Sequence, residues 1–82
     1  MIDNIVEKYP EEMFLKADGF DQAIIGVETK TMRLIYSISE CIRLLVVRDG
    51  MSLEEALEYL DYNVINAFVG DQTPIWCDDS DL

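Results

Sequence analysis

Two helical patterns that meet at the sequence RDGMS, residues 48–52, constrain the fold of this chain more than any other feature. Apolar residues recur at steps of three and four over residues 38–49 and again over 53–67. Gly50 supplies the left-handed residue that ends many helices. Ser52, with Glu55 three residues later, forms a capping box that starts the next helix. The pattern therefore predicts two helices joined by a tight corner that is structural rather than catalytic.

The first of these helices, predicted over residues 38–49, is apolar on more than one side. Ser37 and Glu40 have the spacing of a capping box at its start. Leu44 and Val47 lie outside its main apolar stripe, which comprises Ile38, Cys41, Ile42, Leu45 and Val46. A second apolar face is typical of a central helix or of one that contacts another copy of the chain. We therefore expect a homo-oligomer.

The second helix, predicted over residues 53–67, carries the candidate binding residues. Its apolar stripe comprises Leu53, Ala56, Leu57, Leu60, Val64, Ala67 and Phe68. Glu54, Glu58 and Asp61 follow steps of four and three and form an acidic ridge, with Glu55 on its flank. This ridge is interpreted either as a docking surface for a basic partner or as a solvated helix face. Three side chains lie off the main stripe: Tyr59, Tyr62 and Asn63. They are predicted to form an interface or a small-ligand site, or else to cover the sheet edge and cap the helix.

Strand patterns flank the two helices. Residues 22–28 and 33–37 alternate with a period of two, and the first of these segments is rich in β-branched residues, which predicts a hairpin around the polar TKTM. PIWC, residues 74–77, predicts a third short strand. The N-terminal residues 1–18 are expected to be a helical extension, with a helix from Asp3 to about Lys8 and a second helical turn after Pro10 that Gly19 closes. The predicted fold is α+β: a small two-layer domain in which a short antiparallel sheet packs on two helices.

The length and the charge limit the size and the partners of the protein. A chain of 82 residues has room for one domain with one small core. Its 17 acidic and 6 basic side chains give a formal net charge of −11, which repels phosphate backbones and anionic lipids. We therefore expect no direct nucleic-acid binding and no membrane binding, and a protein partner with a basic surface. Residues 78–82 are predicted to be a disordered acidic tail.

The stretches GFDQAIIGVE, CIRLLVVRDGMSLEEALEYLDYNV and AFVGDQTPIW resemble a group of small phage and bacterial proteins. That group shares a pattern similar to FDxAIIGV followed by CIxxLxxRDGMxxEEAxEYxxYNVxxAxVGxxTPI. The likeness covers roughly residues 19–76 and is most specific around residues 48–51. The resemblance implies a phage-like origin, and hence the host-cell cytoplasm, together with a shared fold. It assigns no catalytic residue.

The sequence offers little for catalysis. It contains no histidine, which removes the usual general base, the Ser-His and Cys-His nucleophiles and the commonest metal ligands. Cys41 lies in an apolar stripe, where a buried thiol is inert, and Cys77 is flanked by acids that raise a thiol pKa. Neither cysteine has redox or zinc spacing, so we expect reduced thiols in a cytoplasm. Asp78, Asp79 and Asp81 lack the pattern of a calcium loop, and no metal or cofactor is predicted.

The sequence therefore favours a non-catalytic, phage-type protein that acts by binding another protein. A modulator or inhibitor of host or defence machinery fits its small size and its acidity. The alternative is an oligomeric module that binds an anionic or nucleotide-like ligand between subunits. The residues that would hold that anion are Arg33, Arg43 and Arg48.

Overall fold

The chain forms three helices and three strands in the residues that its computed structural model describes, which are 2–11, 14–65 and 70–79. In order, the elements are α1 (Ile2–Lys8), β1 (Ile24–Glu28), β2 (Arg33–Ser37), α2 (Ile38–Arg43), α3 (Leu53–Tyr59) and β3 (Ile75–Cys77). Both α2 and α3 continue as π-helices, over Leu44–Arg48 and Leu60–Ile65. The predicted α+β fold and both predicted central helices are confirmed, although residues 66 and 67 lie outside the described ranges.

The hairpin of β1 and β2 is antiparallel, as predicted. β1 begins at Ile24 rather than at residue 22, because Asp21–Ala23 form a 3₁₀ turn. The hairpin turn contains no glycine and is held by the Glu28 carboxylate, which accepts the backbone N–H of Lys30 at 2.9 Å and that of Thr31 at 2.7 Å. The same carboxylate also accepts the Thr31 hydroxyl. That bond contributes most, and the two backbone bonds contribute less, to lowering the pKa of Glu28.

The third strand corrects the prediction of an antiparallel sheet. β3 pairs with β2 in parallel, and Ile75 lies opposite Ile35. The strand order is β1-β2-β3, so β2 is the central strand. Parallel neighbours need a long crossover, and the segment that holds α2 and α3 provides one. The sequence pattern located the strand but did not give its direction.

The residues buried in the core correct the predicted position of one residue of the first helix, Leu44. Tyr36, Leu34, Leu45 and Cys41 are the largest fully buried side chains. Leu44, which was predicted to lie outside the apolar stripe, is also buried, whereas Val47 is 69% exposed. The π-helix that begins at Leu44 has more residues per turn than an α-helix, so the step of 100° per residue no longer holds there. Leu44 therefore packs within its own chain and does not support an oligomer.

The corner between the helices is confirmed as a structural element. Gly50 has a φ of 73°, and the Met51 N–H donates to the Leu45 carbonyl at 3.1 Å. Ser52 and Glu55 form both bonds of the capping box that starts α3. Glycine therefore ends the first helix and serine starts the second, as the spacing predicted.

The N-terminal segment is less helical than predicted. α1 begins at Ile2, so Asp3 lies inside the helix rather than at its start. Pro10 lies in a turn and residues 14–17 have no regular structure, while residues 12 and 13 lie outside the described ranges. The second helical turn is therefore absent from the described part of this segment. Instead, the Ala17 N–H donates to the hydroxyl of the buried Tyr36 at 2.7 Å and attaches the segment to the sheet.

The acidic tail, which was predicted to be disordered, makes specific contacts at Asp79. Its carboxylate accepts the Ser37 hydroxyl at 2.6 Å, the Ser39 hydroxyl at 2.8 Å and the Ser39 N–H at 3.1 Å. Ser37 also caps α2 by accepting the Glu40 N–H at 3.0 Å. The Glu40 side chain pairs with Arg43 instead of completing the predicted capping box. Residues 80–82, and with them Asp81, lie outside the described ranges.

Replacing Gly50 with alanine should destabilise the protein through backbone conformation alone. No atom lies within 4 Å of an added Cβ, but the φ of 73° is unfavourable for any residue with a side chain. We expect Gly50→Ala to lower the free energy of unfolding by about 1–2 kcal/mol in urea denaturation. The control is Gly26→Ala, where the added Cβ is equally free and φ is not positive. Its change should stay below about 0.5 kcal/mol, and equal losses in the two variants would contradict the explanation.

Asp79 should make the stability of the protein depend on pH. Its hydrogen bonds to Ser37 and Ser39 lower the pKa of the carboxyl from 3.8 to about 2. The stabilisation is therefore fully present above the unfolded value and is lost as pH falls through the folded one. In urea titrations, the stability difference between the native protein and Asp79→Ala should be largest above about pH 4, shrink as the pH falls towards about 2, and stop depending on pH below that value. Asp71→Ala, which removes an exposed acid elsewhere in the chain, is the control; the same pH dependence in both variants would exclude a specific role for Asp79.

Candidate functional site

The candidate site is the exposed side of α3 and of its π-helical continuation. Ala56 and Leu60 are buried against the rest of the domain and fix the rotation of the helix. The predicted ridge residues are all exposed on the part of the helix that faces away from this contact: Glu54, Glu58 and Asp61. In the described part of the chain, the Glu54 and Glu58 carboxylates make no hydrogen bond and no salt bridge. Most of the ridge charge is therefore not neutralised by the protein itself.

Two leucines lie beside this ridge, which corrects the predicted core stripe of the helix. Leu53 is 60% exposed and Leu57 is 49% exposed, although both were expected to be buried. α3 contacts the domain through a narrower stripe than predicted, because Ala56 and Leu60 alone are fully buried among its described residues. Val64 is half-buried, and Ala67 and Phe68 lie outside the described ranges. The leucines are one helical turn apart and form an apolar strip next to the acids.

On another side of α3, the structure brings together four of the predicted site residues. A shallow cavity of about 350 Å³ is lined by Glu58, Tyr59, Tyr62 and Asn63, together with Met51 and Glu55. Glu54 and Asp61 do not line it. Tyr62 is 87% exposed, which is unusual for so large an aromatic side chain. These tyrosines and Asn63 therefore line one cavity, and both the interface and the sheet-edge interpretations stay predictions.

A second cavity adjoins the first, and its walls were missed by sequence reasoning. It has a volume of about 280 Å³ and shares Tyr59 and Asn63 with the shallow cavity. Its other walls come from three parts of the chain and include Lys16, Phe20, Val64, Pro74 and Trp76. No sequence pattern links segments so far apart, so only the fold could place them together.

Trp76 is the residue of this cavity that a sequence signal could have identified. Its ring lies 4.9 Å from that of Tyr36, centroid to centroid. Its indole N–H is closed off from solvent and has no hydrogen-bond acceptor among the described residues. Such unpaired buried donors are rare in folded proteins and require an explanation. Tryptophan is generally placed where its N–H can reach a partner, so the only tryptophan of the chain was a candidate from composition alone.

The three arginines of the alternative anion site have separate structural partners. Arg33 donates to the Thr73 carbonyl at 2.5 Å, and Arg43 pairs with Glu40. Arg48 forms two bonds with Asp49, donates to the Gly19 carbonyl at 2.6 Å and lies over the Phe20 ring at 5.9 Å. These contacts raise the pKa of Arg43 and of Arg48, chiefly through the paired carboxylates. The arginines stabilise the fold, and nothing in the geometry favours a shared anion.

The described residues contain no cluster of possible metal ligands, and burial makes one of the two thiols unreactive. No group of three or more acidic, cysteine or histidine side chains could hold a metal ion in the described ranges. Both cysteines are free, and Cys41 is completely buried, as predicted. Burial raises the pKa of the Cys41 thiol to about 12, with smaller contributions from Glu40 and Asp79. A thiol with that pKa has almost no reactive thiolate near neutral pH.

Comparisons with protein-family models, with curated proteins and with solved structures found no match to this chain. The resemblance to small phage and bacterial proteins therefore stays a prediction. None of the helices in the described ranges is long and apolar enough to cross a membrane.

The two cysteines should differ sharply in their reaction with iodoacetamide. At about pH 8, Cys77 in the half-buried strand β3 should be alkylated in the native protein. Cys41 should react only in urea, because it has no exposed surface and its pKa is about 12. Peptide mass spectrometry of the native and unfolded samples measures both sites. Equal labelling of the two cysteines under native conditions would contradict the buried position of Cys41.

Proposed function

We propose that the protein acts without catalysis by binding the basic surface of another protein through the exposed side of α3. The observation that carries this proposal is the apolar strip of Leu53 and Leu57 next to the unpaired carboxylates of Glu54 and Glu58. The interpretation of this surface as a solvated helix face explains the acids. It does not explain why two leucines one turn apart are exposed beside them. Apolar area flanked by charge is typical of a protein interface.

The leucine strip and the acids would contribute to a specific complex in different ways. Removing the exposed parts of two leucines from water would contribute roughly 1–3 kcal/mol. The acids contribute mainly to the rate and the selectivity of association, because opposite charges attract a partner before contact. The net charge of −11 extends this attraction over the whole molecule and disfavours acidic partners.

The wider biological assignment remains part of the proposal. A phage-type origin, a cytoplasmic location and the inhibition or modulation of host or defence machinery all rest on the resemblance, the acidity and the small size of the chain. Self-association now rests on Val47, since Leu44 is buried in its own domain. Light scattering measures the molecular mass in solution and decides that part independently of the partner.

Capture from a bacterial lysate tests the proposed surface. The immobilised native protein should retain a partner at near-equimolar amounts, and retention should fall as salt rises from about 50 to 300 mM. The double variant Leu53→Ser/Leu57→Ser should retain at least about tenfold less, a loss that corresponds to about 1.4 kcal/mol.

The matched control replaces two apolar side chains of similar exposure on other elements, Val6→Ser/Ile25→Thr. It should retain the partner as the native protein does, and circular dichroism shows that both variants remain folded. The proposal fails if no protein is retained in near-equimolar amount, or if the two double variants lose the partner equally.

A further inference from the structure

We infer that the two adjoining cavities form a single groove that receives a partner segment in which a bulky apolar side chain stands next to a basic one. This inference rests on the proposed function and names the chemistry of the partner. The two cavities together are called the α3 groove, with the acidic end at Glu58 and Tyr62 and the apolar end at Phe20 and Trp76.

The acidic end has the composition of a site for a cationic side chain. Glu55 uses one carboxylate oxygen to accept the Ser52 N–H at 3.2 Å, and the other oxygen has no role in the capping box. Glu58 has no partner in the described part of the chain. Tyr59 and Tyr62 line the same cavity and provide aromatic faces on which a cation binds. Arginine fits best, because its planar guanidinium stacks on tyrosine and pairs with carboxylates.

The apolar end has the composition of a site for an uncharged side chain. Phe20, Val64 and Pro74 supply apolar walls, and Trp76 supplies an aromatic one. The two charged side chains in the lining, Lys16 and Asp18, have opposite signs, and Lys16 Nζ also lies 3.5 Å from the Asp21 carboxylate. A cavity of about 280 Å³ is large enough for one leucine or phenylalanine side chain.

Trp76 contributes its ring to the apolar end rather than its N–H. The indole nitrogen has no solvent-accessible surface and no hydrogen-bond acceptor in the described part of the chain. The part of Trp76 that lines the cavity is therefore the ring, against which an apolar side chain packs. A side chain bound there changes the environment of the indole, so the N–H signal of Trp76 is a probe of binding.

Tyr59 and Asn63 join the two ends and set the distance between the two anchors. Both residues line both cavities, so the apolar and the basic side chain must be close neighbours in the bound segment. The Asn63 amide offers a donor and an acceptor, which suits the backbone between two anchors. A segment with widely separated anchors would not fill the groove.

Short synthetic peptides test the groove directly. The probes are capped six-residue peptides that contain Phe and Arg separated by zero to two glycines, with Phe-Gln and Gly-Arg versions as controls. The readout is the indole N–H cross peak in a ¹H–¹⁵N spectrum, because the chain has a single tryptophan. At least one Phe-Arg spacing should shift this peak with a dissociation constant of roughly 1 mM or below, and both control peptides should bind at least about threefold more weakly.

Matched protein variants assign the basic anchor. Glu58→Gln should weaken the best Phe-Arg peptide about threefold and leave the Phe-Gln peptide unchanged. Glu7→Gln removes the same charge from an exposed position on α1, outside both the groove and the proposed surface of α3, and should leave both affinities unchanged within a factor of about 1.5. Equal weakening by the two variants would reduce the effect to overall charge and overturn the inference.

The inference and the proposed function fail in different ways. If no Phe-Arg peptide moves the indole peak, the groove is not the anchor site, while lysate capture that depends on Leu53 and Leu57 would still support the proposed function. If the peptides bind as expected but Leu53→Ser/Leu57→Ser captures as well as the native protein, the groove is supported and the leucine strip is not.

Discussion

The burial of Tyr36 is the interaction on which most of the structure depends. In the central strand, its Cα pairs with that of Ile24 on one side and with that of Trp76 on the other. Its hydroxyl accepts the Ala17 N–H at 2.7 Å, and its ring packs on that of Trp76. Burial raises the pKa of the phenol, so the hydroxyl stays protonated and the contact is neutral. This one residue therefore connects the N-terminal segment to both outer strands, through its backbone and its side chain together.

Ser37, the next residue, links the central strand to the first of the two helices. It ends β2 and also caps α2, so the direction of the helix follows from that of the strand. Asp79 binds the same hydroxyl and thereby couples the segment after β3 to the start of α2. The core of this chain is small, so apolar burial alone does not determine the directions of the helices and strands. Polar contacts at the ends of these elements help to determine them. The parallel pairing of β3 is consistent with this link, since it places Asp79 beside Ser37.

The elements of this fold were predictable where the cause is local, and their arrangement was not. Gly50 and Ser52 act through their own backbone and near neighbours, so the corner followed from the sequence. The exposure of Leu53 and the burial of Leu44 depend on π-helical turns and on how narrowly α3 meets the domain, which helical periodicity cannot express. The acidic ridge and the tyrosines lie on one helix, so helical spacing predicted that they lie near one another. The apolar end of the groove, around Trp76, joins distant segments, so no sequence pattern predicted it.

The corner at residues 48–52 explains why the candidate surface exists at all. Gly50 and the Ser52 capping box set the direction in which α3 leaves the corner, and the burial of Ala56 and Leu60 sets the rotation of the helix. That rotation buries only Ala56 and Leu60 completely, so the leucine strip and the tyrosines remain on either side of the acids. Arg48 holds the other side of the corner to the Gly19 carbonyl, next to Phe20 in the apolar wall of the groove. A structural turn thereby fixes both the acidic surface and the groove beside it.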